Sequence, residues 1–387
     1  MPDSAATARS VTDTSVTDTS VTDTSLADTV RLAGTALGRP LTDPVDLGGS
    51  RRSTVLRCRT EDGGTVVVKH FHAPGSQFTR ESAGLTLLER TPRLLAADPE
   101  HQVIVMSDLG EDPPTLADLL LGPDREAAWT GARSWAHDLG TMVGESRPVA
   151  DEARRRIDAS RPGGPAHWDA AADLRHGLAR LAALAPDGTD ADVIEAELAG
   201  VTTLLDPGQA AVVWPTDTCP DNAVLAPGPA GSRERWWFLD LEGTDVGHPA
   251  LAAAYTLLPF ATCWCVFEPP AGLTDELLAA FTAGLAEHAP QVVASPAWER
   301  QVRLACAAYV VLVTGWLLDG ALDARPLVGP AGRSPSYRQL VASRWRWGAV
   351  NLRADFPALA RALAEAHRWS WDAWGADAEL GGYPAFG

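Results

Sequence analysis

The chain has 387 residues, 45% of them apolar and 21% charged, which is long for one hydrophobic core, so two lobes are expected. Its formal charge of −18 argues against nucleic acid as a partner, because a phosphate backbone demands clustered Lys and Arg. An acidic cleft would attract a cationic small molecule, or the charge serves solubility alone. The five cysteines are scattered, and only Cys263 and Cys265 are close; with no second pair they argue against zinc and fit a reducing cytoplasm.

Residues 11–25 repeat VTDTS three times. The stretch is small, polar and without anything to bury, so residues 1–28 are expected to form a disordered tail. Residues 1–30 also lack the apolar segment of a secretory signal. Residues 29–108 then read as a β-rich lobe. A turn is expected at Leu47-Gly48-Gly49-Ser50, followed by the extended run STVLRCRT and the hairpin signal Glu61-Asp62-Gly63-Gly64. TVVVKHF is β-branched and reads as a strand. Residues 77–90 have helical periodicity, HQVIVM reads as a strand, and Thr115 reads as the cap of the helix TLADLL.

Residues 109–387 read as a larger helical lobe, with helices near 125–144, 168–185, 190–205, 249–260, 273–288, 296–320, 336–350 and 354–368. AVVW, AVLA and RWWFLD interrupt them as short strands. The apolar runs Leu304–Leu318 and Pro249–Phe267 read as buried helices, the first too short to span a bilayer and the second broken by Pro259. No membrane association is expected.

Lys69 is the single Lys among 32 basic residues, and Asn222 and Asn351 are the two Asn. A compact ammonium and a planar guanidinium are not interchangeable at a tight site, so a Lys kept against that bias points to a chemical role. Lys69 ends an apolar strand, from which an ammonium can reach the phosphates of ATP. Glu81 lies on the following helix, where it can pair with Lys69. Gly48, Gly49 and Ser50 either let backbone approach phosphate oxygens or form a plain turn. Asp217-Thr-Cys-Pro-Asp-Asn222 has the form D-x-x-x-x-N. Its Asp can accept a hydroxyl proton, and its Asn oxygen can bind magnesium, which takes oxygen ligands. Asp240 closes the apolar run WWFLD, where a carboxylate can hold the metal that bridges phosphates.

Together, GGSRRSTVLRCR, VVVKHF, the Glu81 helix, VIVMSDLG, TDTCPDNAVL and FLDLEGTDVGHPALAAAY resemble the successive motifs of the aminoglycoside phosphotransferase and choline kinase family. The resemblance covers roughly residues 40–260. It implies an α+β, protein-kinase-like fold of two lobes and an ATP- and magnesium-dependent kinase for a hydroxyl of a small molecule, an aminoglycoside or another amino-alcohol. By that resemblance Lys69 contacts ATP phosphates, Glu81 orients it, Asp217 is the catalytic carboxylate, and Asn222 and Asp240 hold magnesium. Backbone groups of Ser107 to Leu109 would hold the adenine, and Glu242 falls where the family often carries an acid. One departure is plain: the family writes H-G-D or H-N-D where this chain has Pro215-Thr216-Asp217. The alternatives are therefore a catalytically weak nucleotide-binding pseudokinase, or a kinase for a sugar- or choline-type metabolite.

Other features carry less. Of fourteen Trp, five crowd residues 345–374; they either line an acceptor pocket or anchor the core, the commoner role. Arg51 and Arg52 either touch phosphate or are solvated, and His248 reads as structural. There is no P-loop, Rossmann glycine pattern or G-x-S-x-G elbow.

Overall fold

In the computed structural model, residues 23–387 are described, apart from 51, 74, 160–169, 188–189, 230–231, 259–262 and 328–333. Most of the expected tail lies outside these residues, but its boundary needs correction. Helix α1 (Asp23–Leu37) begins inside the stretch assigned to the tail. Leu26, Val30, Ala33 and Leu37 recur at helical spacing and pack on Leu41, Leu56, Val66, Val68 and Val103 of the sheet.

That sheet is antiparallel and five-stranded, in the order β1 (Leu41–Ser50), β2 (Ser53–Thr60), β3 (Thr65–Phe71), β5 (Val103–Ser107), β4 (Leu94–Asp98). Leu47–Ser50 is not a turn. It is the end of β1, with Gly48 opposite Val55 and Gly49 opposite Thr54. β1 is an exposed edge strand with register shifts after Thr42 and Asp46, so it lacks the alternation that marks a half-buried strand. Helix α2 (Ser76–Leu87) covers the other sheet face, where Phe78 and Leu85 meet Phe71, Ile104, Met106 and, from the second lobe, Leu241.

The second lobe opens on α3 (Leu116–Leu121), capped as expected by Thr115 in a reciprocal bond with Asp118. α4 (Arg125–Glu145), α5 (Ala150–Ala159), α6 (Ala170–Leu184), α7 (Ala191–Leu198) and α8 (Val201–Leu205) follow. The helix expected over 190–205 is thus two, parted at Ala199-Gly200. Four short strands come next: β6 (Val212–Trp214) pairs with β9 (Asp245–Gly247), and β7 (Ala223–Pro227) with β8 (Glu234–Phe238). The lobe ends with α9 (Pro249–Leu257), α10 (Leu273–His288), α11 (Pro290–Val293), α12 (Trp298–Leu322), α13 (Tyr337–Asn351) and α14 (Pro357–Trp374). The result is an α+β arrangement of a small β-rich lobe and a larger, mostly helical one, as expected from the sequence.

By length and hydropathy α12 could cross a membrane, yet 78% of its most apolar stretch is buried inside the fold. Trp345 is fully buried, stacks with Trp374 at 6.1 Å and donates to Thr314 Oγ1 at 2.9 Å. It is a packing anchor.

Candidate active site

Strand alternation aims Lys69. Val66 and Val68 face α1, while Val67, Lys69 and Phe71 face α2. Lys69 is 5% exposed and Glu81 1%. The ammonium donates to Glu81 Oε2 at 3.0 Å and to Asp240 Oδ1 at 2.5 Å, and stands 3.6 Å from Glu242 Oε2. The Phe71 ring lies 5.0 Å from it. Burial disfavours the charged ammonium, but Asp240, Glu81 and Glu242 outweigh that and raise its pKa. Glu81 is pushed up to about 7, first by burial, with Lys69 opposing and Asp240 adding to the rise.

The segment after β8 positions Asp240. The Leu239 N–H donates to the Asn222 carbonyl at 2.8 Å, extending the β7–β8 hairpin by one step. Asn222 and Asp240 therefore leave the same end of one hairpin. Asp240 adopts a left-handed φ of 53°, which Asp tolerates better than most residues. The chain then turns under α2, where Gly84 permits the contact. A Cβ at Gly84 would stand 2.6 Å from Thr244 Oγ1 and 2.9 Å from Leu241 Cβ. The reach of Glu81 to Lys69 rests on this approach.

Asp217 lies in the loop between β6 and β7. Thr216 has φ 62° and donates through Oγ1 to the Gly243 carbonyl at 2.9 Å. The Asp217 N–H donates to the Pro215 carbonyl at 2.7 Å, and Asp217 Oδ1 accepts from the Cys219 N–H at 3.2 Å. Burial raises the Asp217 pKa to about 6; the Cys219 bond opposes the rise, and the charges of Asp240 and Asp221 add to it. The carboxylates of the loop and of the Lys69 cluster thus share one field.

Three carboxylates face one ammonium, and Arg52 pairs with Glu242 at 3.2 Å. The excess negative charge and the hard oxygen donors suit magnesium. Asp240, with a 42% exposed side chain, is open to it, and the Asn222 side chain makes no hydrogen bond among the described residues.

The remaining expected residues fall nearby in different ways. Gly48, Val55, Lys69 and Ile104 occupy one row across the sheet, which aligns the glycine segment with the ammonium. Gly48 and Gly49 have φ of 104° and 138°. At the inter-lobe strand end, the Ser107 N–H is already committed to the Arg93 carbonyl at 2.9 Å. It is therefore not free to hold a base. Asp108 is clamped by Arg57 Nε at 2.7 Å and Nη2 at 3.2 Å, which fixes the connector through Leu109. His248 caps α9 by accepting from the Ala250 N–H at 3.1 Å, and burial lowers its pKa to about 4, so it is a neutral structural group. Sequence reasoning gave Glu242 no role from its own chemistry and set Arg52 aside; neither Gly84 nor Asp221 stood out. Only the D-L-E spacing offered a signal for Glu242.

The sequence matches no protein-family model and no curated protein. Among solved structures, the chain is similar to the macrolide 2'-phosphotransferase MphH of Brachybacterium faecium, at 17% identity over 76% of this chain and 92% of that one, with a TM-score of 0.45. It is similar to a choline/ethanolamine kinase family protein of Mesorhizobium loti at 18% identity over 84% and 93%, TM-score 0.44. It is also similar to the choline kinase LicA of Streptococcus pneumoniae, at 13% identity over 87% and 99%, TM-score 0.47.

Proposed function

We propose that this chain is a cytoplasmic small-molecule phosphotransferase that moves the γ-phosphoryl group of ATP to a hydroxyl, with magnesium held by Asn222 and Asp240. One observation carries the reading: Lys69 bridges Glu81 at 3.0 Å and Asp240 at 2.5 Å, at the mouth of the hairpin that also delivers Asn222. Phosphoryl transfer asks for charge neutralisation, metal ligands and a carboxylate near the attacking hydroxyl, and little covalent work. Lys69 supplies the first toward the phosphates, held straight by Glu81. Magnesium would neutralise charge on the phosphates as they rearrange. Asp217, with a pKa near 6, is ionised at neutral pH and basic enough to accept the hydroxyl proton. The glycine end of β1 lies over the same row as Lys69 and is placed to cover the phosphates. The acidity of the cleft favours a cationic acceptor such as an amino-alcohol or aminoglycoside. The lobe boundary falls near residues 108–109, where the Arg57–Asp108 clamp sits.

The second reading, a nucleotide-binding pseudokinase, is favoured by Pro215 standing where the family keeps His. Against it, the Thr216–Gly243 and Asp217–Pro215 bonds hold the loop without that His. Thermal unfolding with ATP, with and without magnesium, tests nucleotide binding. At a concentration of about 100 times the dissociation constant ATP should stabilise the fold by roughly 2.7 kcal/mol, and Asp240→Asn should abolish the magnesium-dependent part. Turnover of ATP against a panel of hydroxyl compounds then separates kinase from pseudokinase. Absence of any nucleotide-dependent shift would overturn both readings.

A further inference from the structure

Three of the five cysteines converge with one carboxylate beneath the loop that carries Asp217 and Asn222. Cys219 and Asp221 belong to that loop; Cys263 and Cys265 belong to the segment after α9. Cys263 Sγ lies 3.5 Å and Cys265 Sγ 3.9 Å from Asp221 Oδ1. The donor atoms of Cys219, Asp221 and Cys263 all lie within 4.8 Å of one another. All three thiols are buried. Around a tetrahedral zinc ion with metal–sulfur bonds of about 2.3 Å and metal–oxygen bonds of about 2.0 Å, neighbouring ligand atoms stand roughly 3.5–3.8 Å apart. The Cys263–Asp221 separation of 3.5 Å matches neighbours on such a shell, whereas Cys265 stands farther out at 3.9 Å. The other Asp221 oxygen, Oδ2, accepts from Trp264 Nε1 at 2.7 Å, the kind of outer bond that orients a metal-binding carboxylate.

We propose that Cys219, Asp221 and Cys263 form a structural site for a thiophilic divalent cation such as zinc. Sulfur ligands separate this site from the oxygen-lined cleft at Asn222 and Asp240, since magnesium does not compete for thiolates. The ion would tie the D-x-x-x-x-N loop to the segment after α9. Neither side of that junction lies in a strand ladder, and the donors Asp221 and Cys263 are 42 residues apart in the chain. That separation explains why the C-x-C pair looked partnerless in the sequence.

The test is spectroscopic and independent of turnover. The full chain is purified under reducing conditions, stripped with a chelator, and titrated with cobalt(II). A thiolate-to-cobalt charge-transfer band should grow to a single equivalent per chain and collapse on addition of zinc. The band should be lost in Cys263→Ser and in Cys219→Ser and retained in Cys58→Ala, which alters a thiol in the first lobe's core. Zinc should raise the melting temperature of the stripped wild-type chain and leave that of Cys263→Ser unchanged. A wild-type chain that gives no charge-transfer band and no zinc-dependent shift has only a thiol–carboxylate hydrogen-bond cluster here, and the proposal fails. It fails equally if the band survives Cys263→Ser.

Discussion

Lys69→Met removes the one cation that three carboxylates share. At an effective dielectric of about 20, each 3 Å contact of this ammonium is worth roughly 5 kcal/mol before desolvation is counted. Taking one partner from a buried pair typically costs about 3–5 kcal/mol. Two features lower that here. Asp240 has a 42% exposed side chain, so water can solvate it. Glu81 already stands near pKa 7 and can take a proton once the ammonium is gone. A loss of about 2 kcal/mol at pH 7 is therefore expected. The sign of the pH dependence follows from Glu81. Without Lys69, which lowers it, its folded pKa rises further, while the unfolded value stays at 4.5. The folded variant then holds a proton that the unfolded chain has released, and its stability keeps falling as pH rises past 7. Urea unfolding at pH 6, 7 and 8 should show the gap from wild type widening with pH. Phosphoryl transfer should fall about 10²–10³-fold, the scale for losing one preorganised electrostatic contact. Lys69→Arg should not restore it, because a planar fork does not fit among three carboxylates set for a point charge. A variant within about 0.5 kcal/mol of wild type at every pH, the range of ordinary surface changes, would refute the buried-charge reasoning.

Asp217→Asn should separate stability from chemistry. The wild-type carboxylate has its pKa raised from 3.8 to about 6, chiefly by burial, so its charge costs stability once pH exceeds 6 and none below 3.8. Discounted for its partial exposure, the carboxamide should stabilise the ligand-free protein by about 1–2 kcal/mol at pH 8 and leave pH 4 unchanged. Turnover should drop about 10²–10⁴-fold; full activity in this variant would remove Asp217 from the role of base. Gly84→Ala places a Cβ 2.6 Å from Thr244 Oγ1 and 2.9 Å from Leu241 Cβ. Overpacking of that kind costs about 1–3 kcal/mol, against a gain of up to about 1 kcal/mol in helix propensity. Thermal unfolding should show a net loss, and activity should fall as α2 draws Glu81 away from Lys69. A stabilised, fully active variant would show that the close approach of α2 is not needed.

The sequence by itself determined the local parts of the site. The alternation in VVVKHF puts Lys69 on the face opposite Val66 and Val68, and the D-x-x-x-x-N loop opens into a strand that must return as a hairpin. Thr115 caps its helix as read, and the apolar run in α12 is buried as read. These features follow from torsional preference and from which face must leave water, both written in neighbouring residues. Local pattern failed where it was thin: β1 is an exposed edge without alternation, β4 and β9 are short, and the repeats at residues 11–25 hid the helical spacing of Leu26, Val30 and Ala33. Only the tertiary structure decided which groups meet. Lys69 reaches Asp240 across 171 residues and Arg52 reaches Glu242 across 190. Neither separation leaves a trace in spacing, because such contacts are set by how α2 and the turn after β8 pack. The same packing gathers Cys219 and Asp221 against Cys263 and Cys265. A side chain's chemistry is local, but its partner is chosen by the fold.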